Sequence, residues 1–113
     1  MEGKKMAIFN KFTLVKGDTA KILEHTCVDQ DQNPVNLTSA TVRLKFRIGS
    51  GPWRVRLMVV FGTPTNGVVR YQWAVGDLDD SGTLQYEVEI QNLDGSIASN
   101  DDWQYLEVRP EAT

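Results

Sequence analysis

The sequence contains very few residues that could ligate a metal or act as a nucleophile. Its 113 residues include one histidine, His25, and one cysteine, Cys27. A single cysteine excludes an intrachain disulfide and is typical of a protein made in a reducing compartment. Together His25 and Cys27 supply two ligands, whereas a zinc site needs about four, or three plus a water. We therefore expect no metal and no cofactor.

The sequence also lacks long apolar runs and helical periodicity. No apolar run approaches the roughly 20 residues needed to cross a bilayer. The basic residues near the start are not followed by a long apolar core, so the sequence predicts no secretory signal. No segment repeats its apolar residues every 3.6 positions between capping residues. The sequence thus predicts no membrane contact and no long helix.

What the sequence does contain is strict alternation. From residue 40 to 48, apolar side chains alternate with one threonine and three cations, and residues 83–91 alternate in the same way with Glu87 and Glu89 on the polar side. Period two predicts half-buried β-strands. Seven strands are predicted, at residues 9–16, 20–28, 40–48, 53–61, 68–75, 83–91 and 103–109. Seven short strands separated by turn residues predict an all-β, immunoglobulin-like antiparallel β-sandwich. We expect one domain over residues 1–113, with an ordered core at about 9–109.

In this topology the third and sixth strands are neighbours, which explains the row of cations. Arg43, Lys45 and Arg47 would face a row formed by Glu87, Glu89 and Gln91. Opposite charges across a ladder contribute about 0.2–1 kcal/mol each.

The net charge of −3 argues against nucleic acid as a partner, because proteins that bind nucleic acid usually carry an excess of basic residues.

The charges are distributed unevenly along the chain. Residues 1–60 hold ten Lys/Arg and five Asp/Glu, whereas residues 61–113 hold two and ten. The two halves either interleave and neutralise each other within one domain, which we favour, or form complementary surfaces that stack copies head to tail.

Carboxylates form no recognisable catalytic or calcium site. Residues 77–82 match the start of a calcium loop, but Val88 occupies the twelfth position, where that loop needs a bidentate glutamate. Glu87 and Glu89 would face cations, which lower the pKa of an acid rather than raise it. His25 and Cys27 have no recognisable third group to orient them. The sequence therefore predicts a protein that is not an enzyme.

The strand at 53–61 is the first candidate contact surface. Arg54 and Arg56 have no obvious mate within the chain, and Met58 and Val60 share their face, so we predict that these four residues contact a partner. The opposite face carries a continuous apolar row, listed in order as Trp53, Val55, Leu57, Val59 and Phe61.

A second candidate contact consists of Asp101, Asp102 and Trp103. The alternative function is a module that binds carbohydrate or a cell surface, with Trp53, Trp73 or Trp103 as a stacking platform. Two exposed coplanar aromatic rings beside Asp and Asn would favour sugar binding.

Five segments resemble one family of phage proteins. They read FTLVKGDT at 12–19, DQDQNPVNLTSATV at 29–42, GVVRYQWAVGD at 67–77, SGTLQYEVEI at 81–90 and SNDDWQY at 99–105. In order and spacing they resemble the N-terminal immunoglobulin-like domain of the phage baseplate upper protein family. Gln32 and Ser39 stand where that family usually has glycine.

The resemblance implies a structural protein of a bacteriophage virion, in the tail or baseplate region, made in the host cytoplasm. It implies assembly through contacts with other virion or tail proteins, including copies of itself as a homo-oligomer. It carries over no catalytic residues.

Overall fold

Nine β-strands form two sheets in the part of the chain that the structure, a computed structural model, describes, which is residues 14–99 and 103–111. The strands are β1 (Leu14–Val15), β2 (Ile22–Thr26), β3 (Thr41–Ile48), β4 (Arg54–Leu57), β5 (Val59–Val60), β6 (Val68–Gln72), β7 (Gly82–Gln91), β8 (Ile97–Ser99) and β9 (Gln104–Arg109). A 3₁₀ turn at Pro64–Asn66 precedes β6.

The larger sheet has the order β1-β9-β7-β3-β4, with β8 on the far end of β7, and the smaller sheet has the order β2-β6-β5. All neighbours are antiparallel except β1 and β9, which are parallel. The chain crosses repeatedly between the sheets, so that β3, β7 and β9 lie together in one sheet while β2 and β6 lie together in the other. This is the strand arrangement of an immunoglobulin-like sandwich, and it confirms the predicted fold class.

Two predicted strands depart most from those observed, while the strands predicted at 20–28 and 68–75 are found shorter, at Ile22–Thr26 and Val68–Gln72. The strand predicted at 53–61 is divided into β4 and β5, which belong to different sheets. The strand predicted at 9–16 is observed at Leu14–Val15, and its first five residues lie outside the described residues. The short strand β8 was not predicted, because Ile97–Ser99 is too brief to show alternation.

The predicted pairing of the third and sixth strands is the pairing of β3 with β7. Arg43 lies opposite Glu89, and Lys45 lies opposite Glu87. Arg43 Nη1 and Lys45 Nζ each lie 3.7 Å from a carboxylate oxygen of Glu89. The register differs by two residues from the predicted one, because the row opposite the three cations is Gln85, Glu87 and Glu89. Arg47 therefore lies opposite Gln85, and its Nε donates to Gln85 Oε1 at 3.2 Å. Gln91 lies opposite Thr41 and accepts a hydrogen bond from Arg43 Nη1 at 2.8 Å.

An aromatic cluster joins the two sheets. Phe46 on β3 and Trp73 just after β6 are buried, and their rings meet edge to face with centroids 5.2 Å apart. Tyr71 contacts Trp73 in the same geometry at 5.3 Å. These ring contacts pack β3 of the larger sheet against the end of β6 in the smaller sheet.

Two residues have an unusual backbone conformation. Gln32 and Ser39 have φ angles of 68° and 61°, in the left-handed region that side chains disfavour and glycine adopts freely. Asp29 stabilises the first of these turns, because its Oδ1 accepts hydrogen bonds from the backbone N–H groups of Asp31 and Asn33.

Candidate protein interface

The strand segment from residue 53 to 61 exposes its apolar face. We call the five side chains of this face the outward row, and their exposed fractions are Trp53 42%, Val55 50%, Leu57 67%, Val59 69% and Phe61 47%. Hydrophobicity alone predicts that this continuous apolar row is the buried side of the strand. The structure shows the reverse, because β4 and β5 are the terminal strands of their sheets and the other face of the segment is turned toward the core.

The two arginines of β4 point inward and have partners in the same chain. Arg54 Nη1 donates to the carbonyl oxygens of Gly76 and Asp77 at 2.8 and 2.9 Å, and its Nη2 lies 2.9 Å from both carboxylate oxygens of Asp79. Arg56 Nε and Nη2 each lie 3.0 Å from Asp77 Oδ1. We call Arg54, Arg56, Asp77 and Asp79 the edge clamp, because it ties β4 to the corner between β6 and β7.

Asp77 is the buried centre of the edge clamp. Its exposed fraction is 1%, and besides Arg56 it accepts hydrogen bonds from the Tyr71 hydroxyl and from the backbone N–H of Ala74, the latter at 2.9 Å. Burial, reinforced by the bond to the carboxylate, raises the pKa of Tyr71 to about 12. A buried carboxylate is tolerated when its oxygens are fully hydrogen-bonded, and this requirement explains why three donors converge on Asp77.

These contacts correct the first predicted contact surface. The prediction that Arg54 and Arg56 lack mates within the chain is wrong, because sequence inspection could not place residues 76–79 beside β4. Met58 is buried and Val60 is packed against the core. The face shared by these four residues therefore closes the sandwich instead of lying open to a partner.

The second predicted surface is only partly within the described residues. Asp101 and Asp102 lie outside them. Trp103 is 41% exposed and stacks on Trp53, with ring centroids 5.0 Å apart and planes inclined by 28°. Each ring therefore gives one face to the other, so the pair is not the side-by-side coplanar platform expected of a sugar site, and Trp73 is buried. The carbohydrate alternative stays a prediction.

Cations lie over aromatic rings at both ends of the outward row. The Arg47 guanidinium lies 4.7 Å from the centroid of a Trp53 ring, and that of Arg70 lies 3.5 Å from the centroid of Phe61. Contacts of this kind contribute about 0.5–1 kcal/mol at exposed sites. They hold the two aromatic ends in place and leave Val55, Leu57 and Val59 as the open centre of the row.

The backbone of β4 is also available for pairing. Met58 N–H donates to Val42 O at 2.9 Å, and this bond sets the alternation of the antiparallel ladder between β3 and β4. The N–H and C=O groups of Val55 and Leu57 consequently point away from β3, at an edge where the described chain supplies no further strand. Val55 O accepts a bond from Arg56 Nη1 at 3.0 Å, and a carbonyl oxygen can accept a second one.

A cleft of about 820 Å³ lies at one end of the sandwich, between β2 and β7. His25 and Cys27 line it together with Val88 and Ile90. Burial lowers the pKa of His25 and raises the pKa of Cys27 to about 11. The thiol therefore stays protonated at neutral pH, which makes it a poor nucleophile.

Metal and membrane features are absent from the described part of the chain. Residues 14–99 and 103–111 contain no group of three or more His, Cys, Asp or Glu side chains that could hold a metal ion. Asp77, which opened the calcium-like segment, is instead enclosed by the edge clamp. None of the described helical segments is both long and apolar enough to pass through a bilayer.

The fold and its open edge define the class of protein, an immunoglobulin-like β-sandwich with an apolar terminal strand. Neither a family model nor a curated protein matches the chain. Among solved structures the chain is similar to murine CRIg, at 16% identity over 91% of this chain and 93% of that chain, with a TM-score of 0.39.

Proposed function

We propose that this protein is a non-enzymatic assembly module that joins to another protein through the outward row. The single observation that carries the proposal is the exposure of five alternate apolar side chains along one segment, whose strands β4 and β5 form the edges of the two sheets. From the size of such side chains, their exposed surface is on the order of 500 Å². Scattered exposed apolar residues are common, whereas a patch of this size equals the largest one on a typical monomer, and such patches are often functional.

The position of the row on terminal strands supports the proposal. Exposed strand edges pair readily with other chains, and proteins usually protect them with charges, prolines or bulges. Residues 53–61 contain two charged side chains, Arg54 and Arg56, and the edge clamp directs both inward. Arg56 Nη1 bonds the outward-pointing Val55 O, but the outward side chains of the edge remain apolar, and such an edge is a liability unless a partner covers it.

The proposed setting is a tailed-phage particle, with other virion or tail proteins as partners. This setting rests on the resemblance of the five segments to the phage baseplate upper protein family. A sandwich whose polar groups pair with each other, as Arg43 and Glu89 do, suits a structural component better than a catalyst.

Site-specific photo-crosslinking in the cells that make the protein tests the proposal. A photoreactive amino acid at position 57 samples the centre of the outward row, and one at position 107 serves as the control, because Glu107 is also exposed but lies on β9, away from β4. We expect covalent adducts with a polypeptide at position 57 and few at position 107. Equal adduct yields at the two positions, or none at position 57, would refute the outward row as the assembly surface.

A further inference from the structure

We infer that the outer surface of the larger sheet packs face to face on the same surface of a second copy, about a twofold axis parallel to the strands. This inference rests on the proposed function and specifies its occupant. It concerns the part of the outward row that lies on the larger sheet, Trp53, Val55 and Leu57, because the next member, Val59, belongs to β5 of the smaller sheet.

Four parallel rows of side chains cross this surface, which we call the outer face. Directly opposed residues of neighbouring strands project from the same side of a sheet, so the ladder registers give the order of the rows. An apolar row at β4 is followed by a cationic row on β3, a row with two acids on β7 and an aromatic row at β9. The rows are Trp53, Val55 and Leu57; Arg47, Lys45 and Arg43; Gln85, Glu87 and Glu89; and Tyr105 with Trp103.

The order of the rows makes the outer face complementary to itself. A twofold axis that runs between β3 and β7 places β3 of one copy over β7 of the other, and β4 over β9. Lys45 then faces Glu87 of the second copy, Arg43 faces its Glu89, and the apolar row faces the aromatic row. A twofold axis across the strands would instead place cations over cations. The charges therefore select a second copy in this one orientation, with the strands of the two sheets aligned as packed sheets commonly are.

Glu87 is suited to receive a cation from the second copy. Lys45 lies opposite Glu87 in the ladder, but its Nζ is directed to Glu89, 3.7 Å away, and Arg43 pairs with the same acid. Among the residues that the structure describes, Glu87 consequently takes part in no salt bridge. The proposed axis brings Lys45 of the second copy over this carboxylate. Because the Lys45 side chain is 38% exposed, the pair sets orientation more than affinity.

A ridge of two tryptophans supplies the centre of the interface. Trp53 and Trp103 start at opposite flanks of the four strands, about 14 Å apart at three strand spacings, yet their ring centroids are 5.0 Å apart. The stacked rings therefore lie above the middle of the outer face, where the axis passes, and the Arg47 guanidinium supports the Trp53 ring at 4.7 Å. Trp, Tyr and Arg at the centre of a patch are the residues that carry most binding energy in interfaces.

The expected dimer is weak. Three ladder positions on four strands give a footprint of about 19 Å by 20 Å, and the relief of the side chains raises the accessible surface to on the order of 500 Å² per copy. The dimer buries about 1,000 Å² in total, near the lower limit for a specific interface. We expect a dissociation constant on the order of 100 µM. Glu107, one ladder position beyond Tyr105 on β9, lies outside the footprint.

Sedimentation equilibrium of two charge-reversed variants tests the inference. We expect wild-type protein to approach the dimer mass at high concentration. Lys45→Glu and Glu87→Lys should each weaken dimerisation at least tenfold, because each places like charges opposite one another on both sides of the axis. An equimolar mixture of the two variants should dimerise like wild type, since positions 45 and 87 of the two different chains then carry opposite charges at both contacts.

The mixture separates the interface from the stability of the single chain. Lys45 and Glu87 are also neighbours within one chain, and mixing does not change that contact, so recovery of the dimer reports on the contact between copies. Circular dichroism of each variant verifies that the fold is retained. Glu24→Lys is the matched control: it makes the same charge change on β2 of the smaller sheet and should dimerise like wild type.

The outcomes distinguish this inference from the proposed function. Wild-type protein that remains monomeric up to millimolar concentration would overturn the second copy as the occupant. If position 57 nevertheless forms crosslinks with a different polypeptide in cells, the assembly function stands. Single variants that dimerise like wild type, or a mixture that fails to recover the dimer, would overturn the face-to-face arrangement.

Discussion

Replacing Asp77 with alanine should destabilise this domain more than any other single change in the edge clamp. The substitution removes the carboxylate that the Tyr71 hydroxyl, the Ala74 N–H and the Arg56 guanidinium all contact. It leaves a backbone N–H and a cation without their acceptor, at a position where the lost side chain is 1% exposed.

The loss of stability depends on how well water can solvate each donor that loses the Asp77 carboxylate. Removing one partner of a buried ion pair costs about 3–5 kcal/mol when the other charge is stranded. The Arg56 side chain is 38% exposed, so part of its guanidinium can be resolvated, and we expect about 3 kcal/mol. For a domain of this size, each kcal/mol lowers the melting temperature by about 4 °C, giving a fall of about 12 °C.

The matched control is Asp79→Ala in the same clamp. Asp79 also bonds an arginine, but its side chain is 53% exposed, and exposed pairs contribute about 0–1 kcal/mol. Chemical denaturation of both variants gives the comparison, and a double-mutant cycle of Asp77→Ala with Arg56→Met isolates the pair. If Asp77→Ala costs no more than Asp79→Ala, the reasoning that burial sets the strength of this clamp is refuted.

Three further predictions concern the paired sheet and the cleft. Glu89→Lys should cost about 1–2 kcal/mol in urea denaturation, because it replaces attraction to Arg43 and Lys45 with repulsion; a loss no greater than that of Glu89→Gln would contradict this. Burial lowers the pKa of His25, so the unfolded chain binds the proton more readily. Stability should be complete above the usual value of 6.5 and fall as the pH drops below it, and an equal fall in His25→Gln would assign the effect to other groups. The Cys27 thiol, with its pKa raised to about 11, should react with a thiol reagent at pH 8 far more slowly in the native state than in urea, and equal rates would contradict its burial.

Much of the fold could be predicted because alternation is a local property. Arg43, Lys45 and their apolar neighbours define a half-buried strand whatever lies beside it. Charge complementarity with Glu87 and Glu89 then favoured the pairing of β3 with β7, which the structure confirms. The split at Met58 could not be predicted, because residues 53–61 alternate without interruption and the change of sheet leaves no mark on the pattern.

The direction of the outward row was beyond sequence reasoning for a related reason. Alternation shows that Leu57 and Arg56 lie on opposite faces, and hydrophobicity argues that Leu57 is the inward one. In the structure Arg56 points inward and Leu57 points outward, because the buried Asp77 carboxylate bonds the Arg56 guanidinium and compensates its charge. A sequence signal existed in the acidic segment at 77–80, but its distance of some 20 residues from β4 concealed the contact.

The sequence by itself therefore determined the sandwich class, most of its strands, the central charge-paired ladder between β3 and β7, and the absence of an intrachain disulfide. Only the tertiary structure decided which side of the terminal strand is exposed. Strand periodicity is set by covalent geometry within one segment, whereas the exposure of a face depends on which distant groups satisfy its polar atoms. Here Asp77 and Asp79 draw two arginines inward, and the apolar row is left for a partner.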